Sequence, residues 1–308
     1  MDLRVALAVA GTAGPAAELV LRRRRPRTAH GRYADWVHPG GPLARPVQAL
    51  ANSRAVRAAC EVLPVPPMVS DITDVVYVNY LVPATRLFPL VPPGLELQRV
   101  GPDADLAVFS FLAYRHGHLG PPALGRLRRL LPSPVQTNWR IYVHDPRTGH
   151  AGVHFVTTAV DHPAHALGGR LLCEALPMHL LREAAVETPD DTTVTVRLDP
   201  GRGSAPDVSA RLTVAPDPAD GPWDAAFTSF KDMLAYVVRQ DRALSVQEWH
   251  HHTTRQEIRL DIALDDCRPL TGPVRSAAAR ALVGDAEPFS FHVPAVRFRF
   301  DSETHEPH

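Results

Sequence analysis

Lysine is almost missing from this chain. Lys231 is the only one, although lysine and arginine together number 33, against 33 aspartates and glutamates. With the charges balanced there is no global field to gather nucleic acid or an anionic membrane surface, so neither is expected as a partner. Cysteine is also scarce, and Cys60, Cys173 and Cys267 lie far apart with no CxxC pair. That pattern excludes a disulfide framework and a paired-cysteine zinc site, and it suits a reducing cytoplasm. No run of about 20 apolar residues is available to span a bilayer. The opening stretch MDLRVALAVAGTAGPAAELVLRRRR imitates a targeting segment, but its apolar run is short, is broken by Gly11, Gly14 and Pro15, and has Asp2 at its head. Arg22 to Arg25 read most simply as a solvated helix end. GxSxG, Walker and HExxH motifs are missing as well, and the GRG at 201–203 is a turn.

The chain does hold 31 prolines, 16 histidines and a 45% hydrophobic fraction, the last ordinary for a globular protein. Residues 1–68 read as an extension, with Pro and Gly at 26–46 and then a helical pattern in LARPVQALANSRAVRAACEVL. From about residue 71 the texture becomes β, and a domain is expected over 69–302. TDVVYVNYLV is rich in β-branched and aromatic residues. GLELQRV and DLAVFSFLAYR read as a hairpin across Gly101-Pro102-Asp103. QTNWRIYVHD and HAGVHFVTTAVD flank Pro146-Arg147-Thr148-Gly149 as another. GGRLLCEALP predicts a helix ending near Pro177, with Arg170 and Glu174 at i, i+4. TTVTVRLD and DVSARLTVA form a further strand pair. PWDAAFTSFKDMLAYVVRQ predicts a helix starting at Trp223-Asp224, before strands return in VQEWHHHTTRQEIRLDIAL and FSFHVPAVRFRF. Many hairpin-paired strands with a few helices laid on them predict an antiparallel α+β fold with a curled or closed sheet.

Five stretches in this order, VNYLVPATRLFPLVPPGLEL, TNWRIYV, AGVHFVTTAVD, GGRLLCEALPMHL and FTSFKDMLAYVVRQDRALSVQEWHHHTTRQEIRL, resemble the acetoacetate decarboxylase-like superfamily and, within it, the YqjF-like branch of unknown function. The resemblance covers roughly three quarters of the chain. It implies a curved antiparallel β-barrel or cone enclosing a cavity for a small organic ligand, and it fixes no reaction. In acetoacetate decarboxylases a lysine follows the proline of the helix end and forms a Schiff base with the keto acid. Here Met178 and His179 stand after Pro177, and neither side chain can form that imine. Lys231, beside Asp232 in SFKDML, reads as a solvated surface charge.

On the strand TNWRIYV the alternation places Asn138, Arg140 and Tyr142 on one face. If that face lines the cavity, Arg140 can clamp a carboxylate while Asn138 and Tyr142 orient it, with Arg170 and Met178 as further substrate-side candidates. The competing reading makes the face solvent-exposed. Glu174 is either half of a surface ion pair with Arg170 or a general base at the cavity mouth. His179, His250 and His252 are candidate acid/base residues. Since neighbours in a strand point to opposite faces, only His250 and His252 can share an ion, with His154 or His179 as a third ligand. No metal-binding spacing supports this, so no metal and no cofactor are assigned. The expected function is an enzyme for a small carboxylate- or carbonyl-bearing metabolite, of lyase, isomerase or cyclase type, working by proton transfer. A non-catalytic ligand binder and a histidine metalloenzyme are the alternatives. Self-association is left open.

Overall fold

The computed structural model describes residues 36–60, 63–216, 218, 220–238, 240–247 and 252–307. The arginine run at 22–25 and His250 therefore lie outside the described residues, as does most of the expected N-terminal extension. What is described of that extension begins with Trp36 and continues into two helices, α1 (Ala44–Ala51) and α2 (Arg54–Cys60).

The rest is a large curved sheet. Its strands are β1 (Met68–Pro83), β2 (Glu96–Leu97), β3 (Leu106–Arg115), β4 (Val135–His144), β5 (Ala151–Val160), β6 (Met178–Leu180), β7 (Glu183–Asp190), β8 (Thr193–Asp199), β9 (Val208–Val214), β10 (Arg242–Gln247), β11 (His252–Asp261), β12 (Arg268–Thr271), β13 (Val274–Arg275) and β14 (Pro288–Pro307). Four more helices accompany them: α3 (Ala84–Leu87), α4 (Pro163–Leu172), α5 (Phe230–Val238) and α6 (Ala277–Val283).

Pairing runs β1-β3-β4-β5-β10-β11-β14 and on through β12, β9 and β8 to β7, and β14 also pairs with β1, so the sheet curves round to close a circuit from which β12 and the β7–β9 arm continue. The circuit is irregular. β5 touches β10 through a single parallel pair, Val153 with Ala243, and β5 also pairs in parallel with β6. This is a curved sheet and not a regular barrel, and its antiparallel character is interrupted along the edge of β5 that faces away from β4. Gly152 permits the narrow joint: a Cβ there would lie 2.6 Å from the Arg242 carbonyl oxygen.

β1 is buried on both faces, which its near-continuous run of Val and Tyr predicts. Val76, Val78, Tyr80 and Val82 pack with Phe109, Phe111, Trp139 and Ile141 against Val194, Val196, Leu198 and Leu212 of the β7–β9 arm. Val75 and Tyr77 face the opposite way, into the concave interior, where α5 adds Phe230, Met233, Leu234 and Val237 at i, i+3, i+4 and i+7.

Three local expectations need correction. The helix α5 starts at Phe230 and not at Trp223-Asp224, because Ser229 caps it: its Oγ accepts the Asp232 N–H at 3.1 Å, while the Asp232 carboxylate accepts the Thr228 N–H at 3.2 Å. GLELQRV does not form a full hairpin with β3: only Val100 bridges Leu106, and Glu96–Leu97 pairs with β4 instead. Finally, α4 ends at Leu172, so Glu174 is not one turn beyond Arg170 on a helix. The chain leaves helical geometry there because Glu174 is held by partners from three other parts of the fold.

Candidate functional site

The concave interior holds a cleft with about 50 Å³ open to the centres of water-sized molecules. That is several times the space one water needs. Its wall is apolar, with Ile72, Leu112, Phe155, Ile258 and Phe298 among its members, and a few polar groups converge on it: Tyr77, Tyr114, Asn138, Arg140 and Gln240. The face of β4 that the alternation singles out is thus the concave one. Both of its sides are buried, and the solvent-exposed reading of that face does not hold.

Arg140 is 4% exposed, and no carboxylate pairs with it among the described residues. Its Nη2 donates to the Val237 carbonyl at 3.0 Å and reaches the Tyr142 hydroxyl at 3.5 Å, while Nε is sealed without a partner. The guanidinium carbon lies 5.5 Å from the ring centres of both Tyr77 and Tyr142, within cation–π range. Burial works against the charge, but the Tyr142 and Tyr77 oxygens outweigh it and leave the pKa above arginine's ordinary value. The group therefore stays cationic. Burial pushes the Tyr77 phenol up to about 12, so it stays protonated as a donor. Tyr142 is fixed by Ser110 at 2.8 Å, which in turn donates to Asn79. Asn138 donates to the Tyr114 hydroxyl at 2.9 Å and accepts from Gln136 at 2.8 Å. Gln136 accepts from His116, whose other ring nitrogen meets Ser70 at 2.9 Å. The Tyr236 hydroxyl is also buried without a partner, and its ring sits 5.0 Å from that of Tyr142.

A second polar cluster stands along the same strands. On β11 the residues His252, Thr254, Gln256, Ile258 and Leu260 alternate onto one face, and the last two line the cleft. On β14 an irregularity near Asp301 brings Glu303 opposite Gln256 and His305 opposite Thr254. Glu174, 5% exposed, enters this cluster from the turn after α4. Its Oε2 meets His252 Nε2 at 2.9 Å and accepts from Thr254 Oγ1, and its Oε1 lies 3.5 Å from Nη2 of Arg57. Its backbone N–H donates to Glu303, which also accepts from Gln256 at 2.6 Å. Arg57, on α2, is 1% exposed and also donates to the Leu171 carbonyl.

The other candidates sit elsewhere. Arg170 turns to the N-terminal helices, donating from Nε to the Ala51 carbonyl at 2.7 Å and from Nη2 to Asn52 at 3.0 Å. Met178 packs with Trp36, Ala51, Ala166 and Leu180. His179 points away from that cluster, with Nδ1 2.7 Å from Ser204 Oγ. Neither Met178 nor His179 belongs to the cleft wall. Burial, reinforced by the Arg170 charge, pushes His179 down to about 3, and burial pushes His116 down to about 4. Both are neutral at pH 7. Unfolded, they take up protons below about 6.5, while the folded chain holds them neutral. Their contribution to stability is therefore present above pH 6.5 and is lost as pH falls toward about 4 and 3. His116→Gln should flatten the dependence of the urea midpoint on pH between 6.5 and 4, and a slope as steep as that of the parent protein would disprove it. His154, the other proposed third ligand, is committed to the Leu244 carbonyl at 3.0 Å. Lys231 is exposed and paired with Asp265 at 2.7 Å. Arg57, His305 and Glu303 were not foreseen: Arg57 looks like one more arginine on a surface helix, and the other two lie beyond the expected domain end at 302.

A curved sheet wrapped around a partly polar interior cleft is the architecture of the acetoacetate decarboxylase-like fold, and solved structures agree. The enduracididine biosynthesis enzyme MppR complexed with pyruvate superposes with a TM-score of 0.54 at 15% identity, over 79% of this chain and 91% of that one. Acetoacetate decarboxylase from Legionella pneumophila gives 0.53 at 13% identity, covering 79% and 92%. An acetoacetate decarboxylase-like enzyme from Sphingomonas wittichii RW1 gives 0.52 at 12%, covering 79% and 94%. No curated protein matches the chain. The protein belongs to the DUF2071 family, described as an uncharacterized conserved protein, whose model matches residues 70–274. No helix among the described residues is long and apolar enough to cross a membrane.

Proposed function

We propose that the protein binds a small carboxylate- or carbonyl-bearing metabolite in the concave cleft and acts on it by proton transfer, without a Schiff base. The observation that carries this is Arg140, a buried cation with an unmet N–H and no acidic partner among the described residues, at the wall of an otherwise apolar cleft. A buried charge is costly unless paired, and a ligand carboxylate supplies the pair. The relative complexed with pyruvate supports a 2-oxo acid as the first ligand class to try. Asn138, Tyr77 and Tyr114 offer donors that can orient it or steady an enolate oxygen. The Glu174–His252 pair, farther along the same face of β11, is the acid/base couple of this reading.

Carrier function is the second reading, and one observation favours it: among the described residues the cleft wall includes no carboxylate and no imidazole. Proton exchange in D2O separates the two. NMR of pyruvate and 3-oxo acids with the full-length protein should show accelerated exchange beside the carbonyl. Sodium borohydride added to the same mixture should leave the protein mass unchanged, because Lys231 is turned to solvent and paired with Asp265. A reduced adduct on Lys231 would overturn the imine-free mechanism, and saturable binding without exchange would make the protein a carrier.

A further inference from the structure

We propose that Glu174, His252 and His305 form a three-ligand site for a divalent transition-metal ion of the zinc class. Of the histidines the sequence offers as ligands, His252 is in this site, His250 lies outside the described residues, and His154 and His179 are bonded elsewhere. The fold supplies a different third ligand. One donor atom from each of Glu174, His252 and His305 falls within 4.8 Å of the others. His305 reaches the cluster because it stands opposite Thr254 in the β11–β14 register, on the face that also carries His252.

The spacing fits an ion. Zinc bonds of about 2.1 Å in a tetrahedron set neighbouring donors about 3.4 Å apart. Here Glu174 Oε2 is 2.9 Å from His252 Nε2 and 3.8 Å from His305 Nδ1, so the two separations bracket that value. The imidazole rings are 4.6 Å apart between centres. Two histidines and one carboxylate, leaving coordination positions open, are a donor set suited to zinc or iron. Support around the set is also built. Arg57 steadies the far oxygen of Glu174 at 3.5 Å, and Glu303, held by Gln256, receives the Glu174 N–H. Such partners fix the orientation of ligating carboxylates. Arg57 works against a cation by its charge, but it lies on Oε1, while both imidazoles lie on Oε2. The site shares Glu174 and His252 with the acid/base couple proposed above but uses none of the cleft's polar groups, so zinc uptake is read independently of 2-oxo acid binding at Arg140.

Full-length protein, stripped with chelator and dialysed, should take up one zinc ion per chain in a calorimetric titration, and cobalt(II) should give a visible ligand-field spectrum. His252→Ala and His305→Ala should each weaken zinc binding more than tenfold and erase the cobalt bands. His144→Ala, a half-exposed histidine paired with Glu96, should change neither. His305 lies at an exposed strand end, so its variant tests the site even if His252→Ala fails to fold. Three results would overturn the proposal: no stoichiometric uptake, unaltered binding in His305→Ala, or equal weakening in His144→Ala.

Discussion

Arg140→Met should weaken binding of a 2-oxo acid by about 30-fold to several thousandfold. Losing one partner of a buried, hydrogen-bonded charge pair costs about 2–5 kcal/mol, and every 1.4 kcal/mol or so is a factor of ten. Methionine keeps much of the length and apolar stem, so the cleft wall stays filled while the charge and donors vanish. Stability should change little. The guanidinium is 4% exposed with Nε unmet, and its compensation is one carbonyl, one hydroxyl and two ring faces. Methionine removes the desolvation cost together with those contacts, and an apolar side chain of similar volume in place of a buried charge is often neutral in stability. Urea unfolding should therefore show a midpoint no lower than that of the parent protein. A large fall in stability with unchanged ligand affinity would mean that Arg140 is structural, and the proposed ligand site would be lost with it.

The strand face that carries Arg140 was readable because period-two alternation is rigid: once TNWRIYV is a strand, Asn138, Arg140 and Tyr142 must share a side. That the side is concave follows only from curvature, which the family resemblance supplied and the pairing of β14 with β1 explains. Hairpins with strong turn chemistry were equally legible, as in β4–β5 around Pro146–Gly149. What stayed hidden was set by long-range contacts. Glu174 looked helical because four-residue spacing to Arg170 is a helix pattern, yet partners from α2, β11 and β14 draw it out of the helix. His305 could not be foreseen, because its neighbourhood depends on an irregularity in the β11–β14 register at Asp301 that shifts which residues face inward. Parallel contacts at β5 carry no local signal, since one bridge between distant segments leaves no mark on periodicity. Arg57 illustrates the limit most clearly: nothing in SRAVRAAC separates its buried arginine from a solvated one.

Arg57→Ala is the substitution expected to cost the most stability, about 3–5 kcal/mol, the range for breaking a buried ion pair by removing one partner. Arg57 is 1% exposed and Glu174 5%, so water cannot move in to replace the guanidinium without opening the packing of α2 on α4. Its donation to the Leu171 carbonyl also ties α2 to the last turn of α4, and the same turn delivers Glu174 to His252. Loosening α2 therefore acts twice, by leaving a carboxylate with less positive charge beside it and by freeing the segment that positions it. Arg57→Lys should recover only part of the loss, because an ammonium offers no planar fork to reach Leu171 and Glu174 together. Equilibrium urea unfolding of the full chain would measure both variants. The partner-side control is Glu174→Gln, which keeps the shape but removes the negative charge. If the pair matters as described, the double variant Arg57→Ala/Glu174→Gln should lose less than the sum of the two single losses, by 0.5 kcal/mol or more in about the range found for contacting residues. Strict additivity would mean that the two side chains are neighbours without energetic coupling. It would also mean that the N-terminal helices contribute apolar packing around Trp36 and Met178 and nothing to the charge state of the cluster.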